Sequence, residues 1–247
     1  MSITSEEELR GLREAGRIVG GALKELTAHV KPGVTTGQLD EIAAQILRRD
    51  GARSAPILVY DFPGSICISV NEEVVHGIPG PRVIREGDLV KLDLTVEKNG
   101  FMADAAVSVL VPPISDDARR LALCAERAFR NAAKVATAGR KISDIGYAVE
   151  NEVRRSGFAV IKRLCGHGIG RTIHEAPAVP NYFDPSENGR LTEGLVITIE
   201  PIIAAGRGEE VMDRDGWTVK TRDRSLSAHF EHTIIVTRGE PILLTAA

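Results

Sequence analysis

Five residues scattered along the chain have the types and settings for one piece of chemistry. Asp93 and Asp104 flank Asn99-Gly100, a strong short hairpin signal, and before it Val90, Leu92, Leu94 and Val96 alternate with Lys91, Asp93, Thr95 and Glu97. With Asn99-Gly100 as a two-residue turn, Lys98 faces Phe101, Asp93 faces Ala106 and Thr95 faces Asp104. The two aspartates then share one sheet face as diagonal neighbours, with Cβ atoms roughly 7 Å apart, a gap that a metal ion or an ion pair closes. Without a cation the like charges repel and one pKa rises. The bland alternative is a solvated face with both aspartates in water.

Further residues bear on that choice. Cys165-Gly166-His167-Gly168-Ile169-Gly170-Arg171 places His167 in a Gly-rich loop behind a strand-like run, Ala159 to Leu164, with His174 shortly after. The glycines clear side chains from around His167, although a tight turn would use them too. Glu200 closes the apolar run Leu195 to Ile199 just before Pro201, and Glu231 opens the β-branched run His232 to Thr237. Burying either charge alone costs several kcal/mol. A salt bridge to one of the 31 Lys and Arg residues is the plain reading of each glutamate taken singly. Asp93, Asp104, His167, Glu200 and Glu231 taken together point elsewhere. Four carboxylates and an imidazole suit Mn, Fe(II), Co or Zn. Five ligands exceed the needs of one small ion, whereas two ions roughly 3.5–4 Å apart share carboxylates and activate a water for hydrolysis.

The elements that must position these groups are legible in outline. Ser5 and Glu8 make a capping box for a helix running to about Ala28. Lys31-Pro32-Gly33 breaks it, and Leu39, Ile42, Ala43, Ile46 and Leu47 mark a second helix stopped by Gly51. The same plan recurs: Ser115 caps a helix to about Ala138, and Ser143 caps another ending at Gly157. Leu47 to Gly51 lines up with Val153 to Gly157, and Asp93 falls near Glu200 in that register, which suggests a duplication. The reading is one domain over residues 1–247, with pseudo-twofold halves at about 5–111 and 115–238, each placing two helices before its strands in an α+β arrangement.

Composition excludes several classes. With 247 residues, 43% of them hydrophobic, and a net charge of -3, the chain has enough apolar material for a core and no basic footprint for nucleic acid. No apolar stretch approaches the roughly 20 residues that span a bilayer, and no secretory signal opens the chain. Cys67, Cys124 and Cys165 form no C-x-x-C pair, which fits a reducing cytoplasm.

These residues resemble the type I methionine aminopeptidases of the pita-bread fold, from Ala15-Gly16-Arg17-Ile18 to Glu231-His232-Thr233. The most specific matches are Asn71 to Pro79, Cys165 to Arg171, Thr198-Ile199-Glu200-Pro201 and Asp215 to Thr221. The resemblance implies that Asp93, Asp104, His167, Glu200 and Glu231 hold two divalent ions (Co, Mn, Fe(II) or Zn), with Glu231 bridging and Glu200 accepting a proton from the attacking water. It implies that His174 stabilises the tetrahedral intermediate and that His76 contacts substrate near the scissile amide. Phe62, Cys67, Ile202 and Trp217 match positions lining an apolar slot for a methionine side chain, and a monovalent cation is implied near Asn71 and Ser227. Pro56, Val59, Val75 and Ile173 depart from the family's usual residues at the rim of that slot. The implied activity is removal of the initiator methionine from nascent chains with a small, uncharged second residue, by a cytoplasmic monomer near the ribosome.

Three rivals compete. A proline-handling peptidase uses similar ligands but usually carries a further N-terminal domain. A catalytically dead binding module has no need of all five ligands. A metallophosphoesterase would gain from basic residues beside the metals, and none stands out.

Overall fold

The chain, described over residues 1–246 in a computed structural model, begins its first helix where the sequence directs it. Ser5 Oγ accepts the Glu8 amide at 3.2 Å and starts α1, Glu6–Thr27. The expected reciprocal half of the box is absent, because the Glu8 carboxylate takes the Thr4 amide and hydroxyl at 2.8 and 2.9 Å instead. Helix α2, Thr36–Arg49, starts on a complete box between Thr35 and Gln38. A short helix, α3, spans Ala55–Tyr60 with Pro56 in its first turn, where no helix is expected from periodicity. Helix α4, Asp116–Val135, is capped by Ser115 and stops slightly short of Ala138. Helix α5, Ile142–Arg155, corrects the expected cap: its N-cap is Lys141, Asp144 reaches back to the Lys141 amide, and Ser143 is buried in the first turn.

The predicted hairpin forms as strands Leu89–Lys98 and Phe101–Leu110, with Lys98 opposite Phe101, Thr95 opposite Asp104 and Asp93 opposite Ala106. Asn99 and Gly100 both take positive φ, 52° and 80°, as a two-residue turn that matches strand twist requires. The hairpin belongs to a nine-stranded sheet with the main order Arg53–Ser54, Leu89–Lys98, Phe101–Leu110, Glu231–Ile235, Val196–Ile199, Cys165–Gly168, Glu175–Pro180. Cys67–Val70 also pairs with Leu89–Lys98, and every pairing in this sheet is antiparallel. Two corrections fall here. Only Ala159–Val160 of the expected Ala159–Leu164 run is strand, and His167 lies on a strand, paired with Ala178, rather than in a loop.

The alternation of strand side chains sorts the sheet into two faces. Leu92, Leu94, Val96, Ala103 and Ala105 pack with the apolar stripes of α1 and α2, and Ile197, Ile199 and Ile234 pack with those of α4 and α5. Residues one step out of phase, namely Asp93, Thr95, Asp104, Thr198, Glu231 and Thr233, therefore share the face turned away from the helices. No helix among the described residues is long and apolar enough to cross a membrane.

Candidate metal centre

On that face three threonines, each two residues from a predicted ligand in the chain, support the acidic groups. Thr95 Oγ1 donates to Asp104 Oδ2 at 2.7 Å. Thr233 Oγ1 accepts the Asp104 amide at 2.9 Å and donates to the Asp104 carbonyl at 2.8 Å. Thr198 Oγ1 accepts the His167 amide at 3.1 Å and donates to Glu200 Oε1 at 3.0 Å. The sequence carried a signal for them, since a strand residue two positions from a ligand lies on the ligand's face. Gly166 and Gly168 let the His167 strand come close: a Cβ on either would collide with the Thr198 or Ala176 carbonyl.

All five predicted ligands line one cavity of about 380 Å³. Ligand-type atoms of Asp104, His167 and Glu231 lie within 4.8 Å of one another, and so do those of Glu200, His229 and Glu231, with Glu231 common to both groups. Asp93, half-buried between Cys67 and Ala106 on the neighbouring strands, borders the cavity outside either group. His229 was not expected from sequence. His167 Nδ1 lies 3.0 Å from the Gly168 carbonyl and donates to it, which leaves the Nε2 lone pair toward the cluster, 3.5 Å from Glu200 Oε1. Burial lowers the pKa of His167 and pushes His229 down to about 3, so both rings are neutral near neutral pH.

The electrostatics ask for cations. Burial, reinforced by the repulsion of neighbouring carboxylates, raises Asp93, Glu200 and Glu231 well above the usual carboxylate range. Burial also raises Asp104, against the Thr95 hydrogen bond. Among the described residues no Lys or Arg pairs with any of the four, so the salt-bridge reading of the glutamates fails. Asp104 Oδ1 and Glu231 Oε1 are buried with no hydrogen-bond partner. Four acceptor-only carboxylates, a neutral imidazole presenting a lone pair and two orphaned oxygens fit divalent ions.

A second cavity of about 260 Å³ shares His76, Asp93, Asp104 and His174 with the first and is otherwise mainly apolar. Phe62, Cys67 and Trp217 line it as expected, and the Phe62 and Trp217 rings meet edge to face at 5.2 Å. Ile202 does not line this slot: pairing with His229 keeps it beside the glutamates, in the larger cavity. Pro56 and Ile173 do line the slot, while Val59 is exposed and its neighbour Tyr60 takes a place on the wall. The Tyr60 hydroxyl lies 2.5 Å from His174 Nδ1, a contact with no sequence signal, because it depends on α3. The His174 ring meets that of His167 at 4.3 Å. His76 holds φ at +57°, in the left-handed region that histidine visits more readily than most residues.

Two further expectations are corrected. Arg163 does border the larger cavity, but its exposed side chain pairs with Glu210 at 3.2 Å. Near Asn71 and Ser227, the oxygens are taken by the chain's own cation: Lys91 Nζ donates to the Asn71 carbonyl at 2.7 Å and to the Ser227 carbonyl and hydroxyl at 3.1 and 3.2 Å. Burial pulls Lys91 down to about 7. The Cys67 thiol is pushed well up by burial, which suits a wall and not a nucleophile.

Known proteins align with this arrangement over its whole length. "Methionine aminopeptidase 2" of Bacillus subtilis is 45% identical over 247 residues, covering 99% of each chain. The structure of methionine aminopeptidase from Rickettsia prowazekii superposes with a TM-score of 0.95 at 38% identity, covering 99% of this chain and 100% of that one. That of the Thermotoga maritima methionine aminopeptidase superposes with a TM-score of 0.97 at 33% identity, covering all of both chains. The α+β architecture is thus the pita-bread fold expected from the motifs. Residues 10–238 match the sequence model of metallopeptidase family M24, and at this coverage and identity the chain belongs to that family.

Proposed function

We propose that the chain is a methionine aminopeptidase that removes the N-terminal methionine of nascent chains in the cytoplasm, with two divalent ions, when the second residue is small and uncharged. The observation that carries this reading is the junction of the two cavities. A carboxylate and imidazole cluster with Glu231 common to two groups of ligand atoms opens, past His76 and His174, onto a mainly apolar slot of about 260 Å³. Asp93, Asp104, His167, Glu200 and Glu231 would hold the ions, whose chemistry there is to ionise a water near neutral pH and polarise the scissile carbonyl. Glu200, with its pKa raised by burial and one oxygen fixed by Thr198, takes the proton of the attacking water and returns it to the leaving amine. With Tyr60 donating to Nδ1, the proton of neutral His174 sits on Nε2, where it donates to the developing oxyanion. His76, lining both cavities, contacts the substrate near the amide. Tyr60 and Ile173 help to line that slot.

The test is turnover of the metal-reconstituted protein on Met-Xaa peptides beside Leu-Xaa and Xaa-Pro peptides. Met-Ala and Met-Gly peptides should be cleaved and the others spared. Preferential cleavage before proline would replace this reading with a proline-specific one.

A further inference from the structure

His229 is 1% exposed, and neither of its ring nitrogens has a hydrogen-bond partner. Leaving buried donors and acceptors unpaired is costly, so such a residue asks for an explanation. Its position is fixed by main-chain pairing: the strand Ser227–His229 lies against Ile202–Ala204, with His229 opposite Ile202. From there Nε2 points between two carboxylates, 3.3 Å from Glu231 Oε2 and 3.9 Å from Glu200 Oε2.

The neighbouring ligands show what is missing. Asp104 has the Thr95 hydroxyl, Glu200 has the Thr198 hydroxyl, and His167 gives its Nδ1 proton to the Gly168 carbonyl. Such outer partners orient ligands and tune their basicity. Glu231 is the residue shared by both ligand groups; its Oε1 is buried with no hydrogen-bond partner, and His229 Nε2 lies 3.3 Å from its Oε2.

We propose that His229 is the positioning residue of Glu231: its Nε2–H donates to Glu231 Oε2, with Glu200 Oε2 as the second acceptor in reach, and holds both carboxylates in the orientation that clasps the ions. The inference rests on the two-ion reading above. A neutral ring suffices, since it carries the one N–H the role requires. At 3.3 Å the pair is already within hydrogen-bond distance, so the role asks for a change of angle and not of reach.

The experiment is calorimetric titration of chelator-stripped protein with Co(II), together with the visible Co(II) spectrum, for wild type, His229→Gln and His229→Leu. Gln keeps a donor at similar reach and Leu removes it. His229→Met replaces Leu if circular dichroism shows that the Leu variant does not fold. The expected result is the same ion stoichiometry and a similar spectrum in all three, with affinity weakened about 10–100-fold in the apolar variant and largely restored in Gln. Wild-type affinity in the apolar variant would overturn the proposal. So would loss of one equivalent of Co(II) and a changed spectrum in both Leu and Gln, which would make His229 a direct ligand. A wild type that takes a single ion would sink the two-ion reading, while the comparison of Gln with Leu would still decide the role of His229 at that ion.

Discussion

In the proposed mechanism Glu200 answers two demands with one carboxylate, since an oxygen committed to an ion must leave its partner free to move a proton. Its surroundings divide the work: Thr198 fixes Oε1, while Oε2 faces His229. Glu200→Gln keeps the shape and removes the base, so it should leave a folded protein with turnover lowered by about 10²-fold or more. Near-wild-type turnover in that variant would take Glu200 out of the proton transfer. Tyr60 acts one step back, through His174. Tyr60→Phe should lower turnover by about 2–10-fold, the free energy of a single hydrogen bond, with little change in KM. An unchanged kcat would show that the phenol does not orient the ring. The candidate ligands were readable from sequence only as a group, because a salt bridge explains each glutamate singly while five such residues on or beside strands call for a shared cation. Tyr60 and His229 were not, because what marks them, a hydrogen bond to His174 in one case and two unpartnered ring nitrogens in the other, is visible only when the neighbours are placed.

At the scale of elements, the hairpin register followed from the sequence because Asn99-Gly100 admits one tight turn and the alternation then fixes every facing pair. The setting of His167 did not, since its strand is defined by pairing with Ala178 and, through Gly168, with Ile197, partners remote or short in sequence signal. Lys141 displaced Ser143 as a helix cap because Asp144 supplies the hydrogen bond from within the first turn, a role propensity assigns to the capping side chain itself. Thr198 joins two strands to two ligands. Thr198→Val preserves volume but strips the hydroxyl from Glu200 and from the His167 amide, and divalent-ion affinity measured by calorimetry should fall about 10–100-fold. Gly168→Ala presses a methyl group onto the Ala176 carbonyl and should cost roughly 1–3 kcal/mol in urea unfolding. A variant as stable as wild type would mean that the two strands can separate without penalty.

For the whole molecule, the sheet works as a partition, with four helices burying one face and the other gathering charge that the metal-free fold tolerates poorly. Asp93, Asp104, Glu200 and Glu231 have folded pKa values raised by burial above those of the unfolded chain. At these four groups the native state then holds more protons than the unfolded state, so their contribution to metal-free stability is fully present below the ordinary carboxylate range, about pH 4, and is lost as pH climbs through the raised values. In the proposed site divalent ions would take over from those protons. The rise in Tm on adding Mn(II) should therefore be larger near neutral pH than at about pH 5. An equal rise at both would mean that the ions do not bind at these carboxylates. Helices α1 and α2 cover the Leu89–Lys98 side of the sheet, and α4 and α5 cover the Val196–Ile199 side.

The most direct measurement is turnover of a Met-Ala-Ser peptide by protein stripped with a chelator and then given measured amounts of Mn(II), Co(II) or Fe(II). The stripped protein should be inactive, and activity should return with added ion and level off at two per chain. Undiminished cleavage by protein shown to be free of divalent ions would contradict the account at its centre.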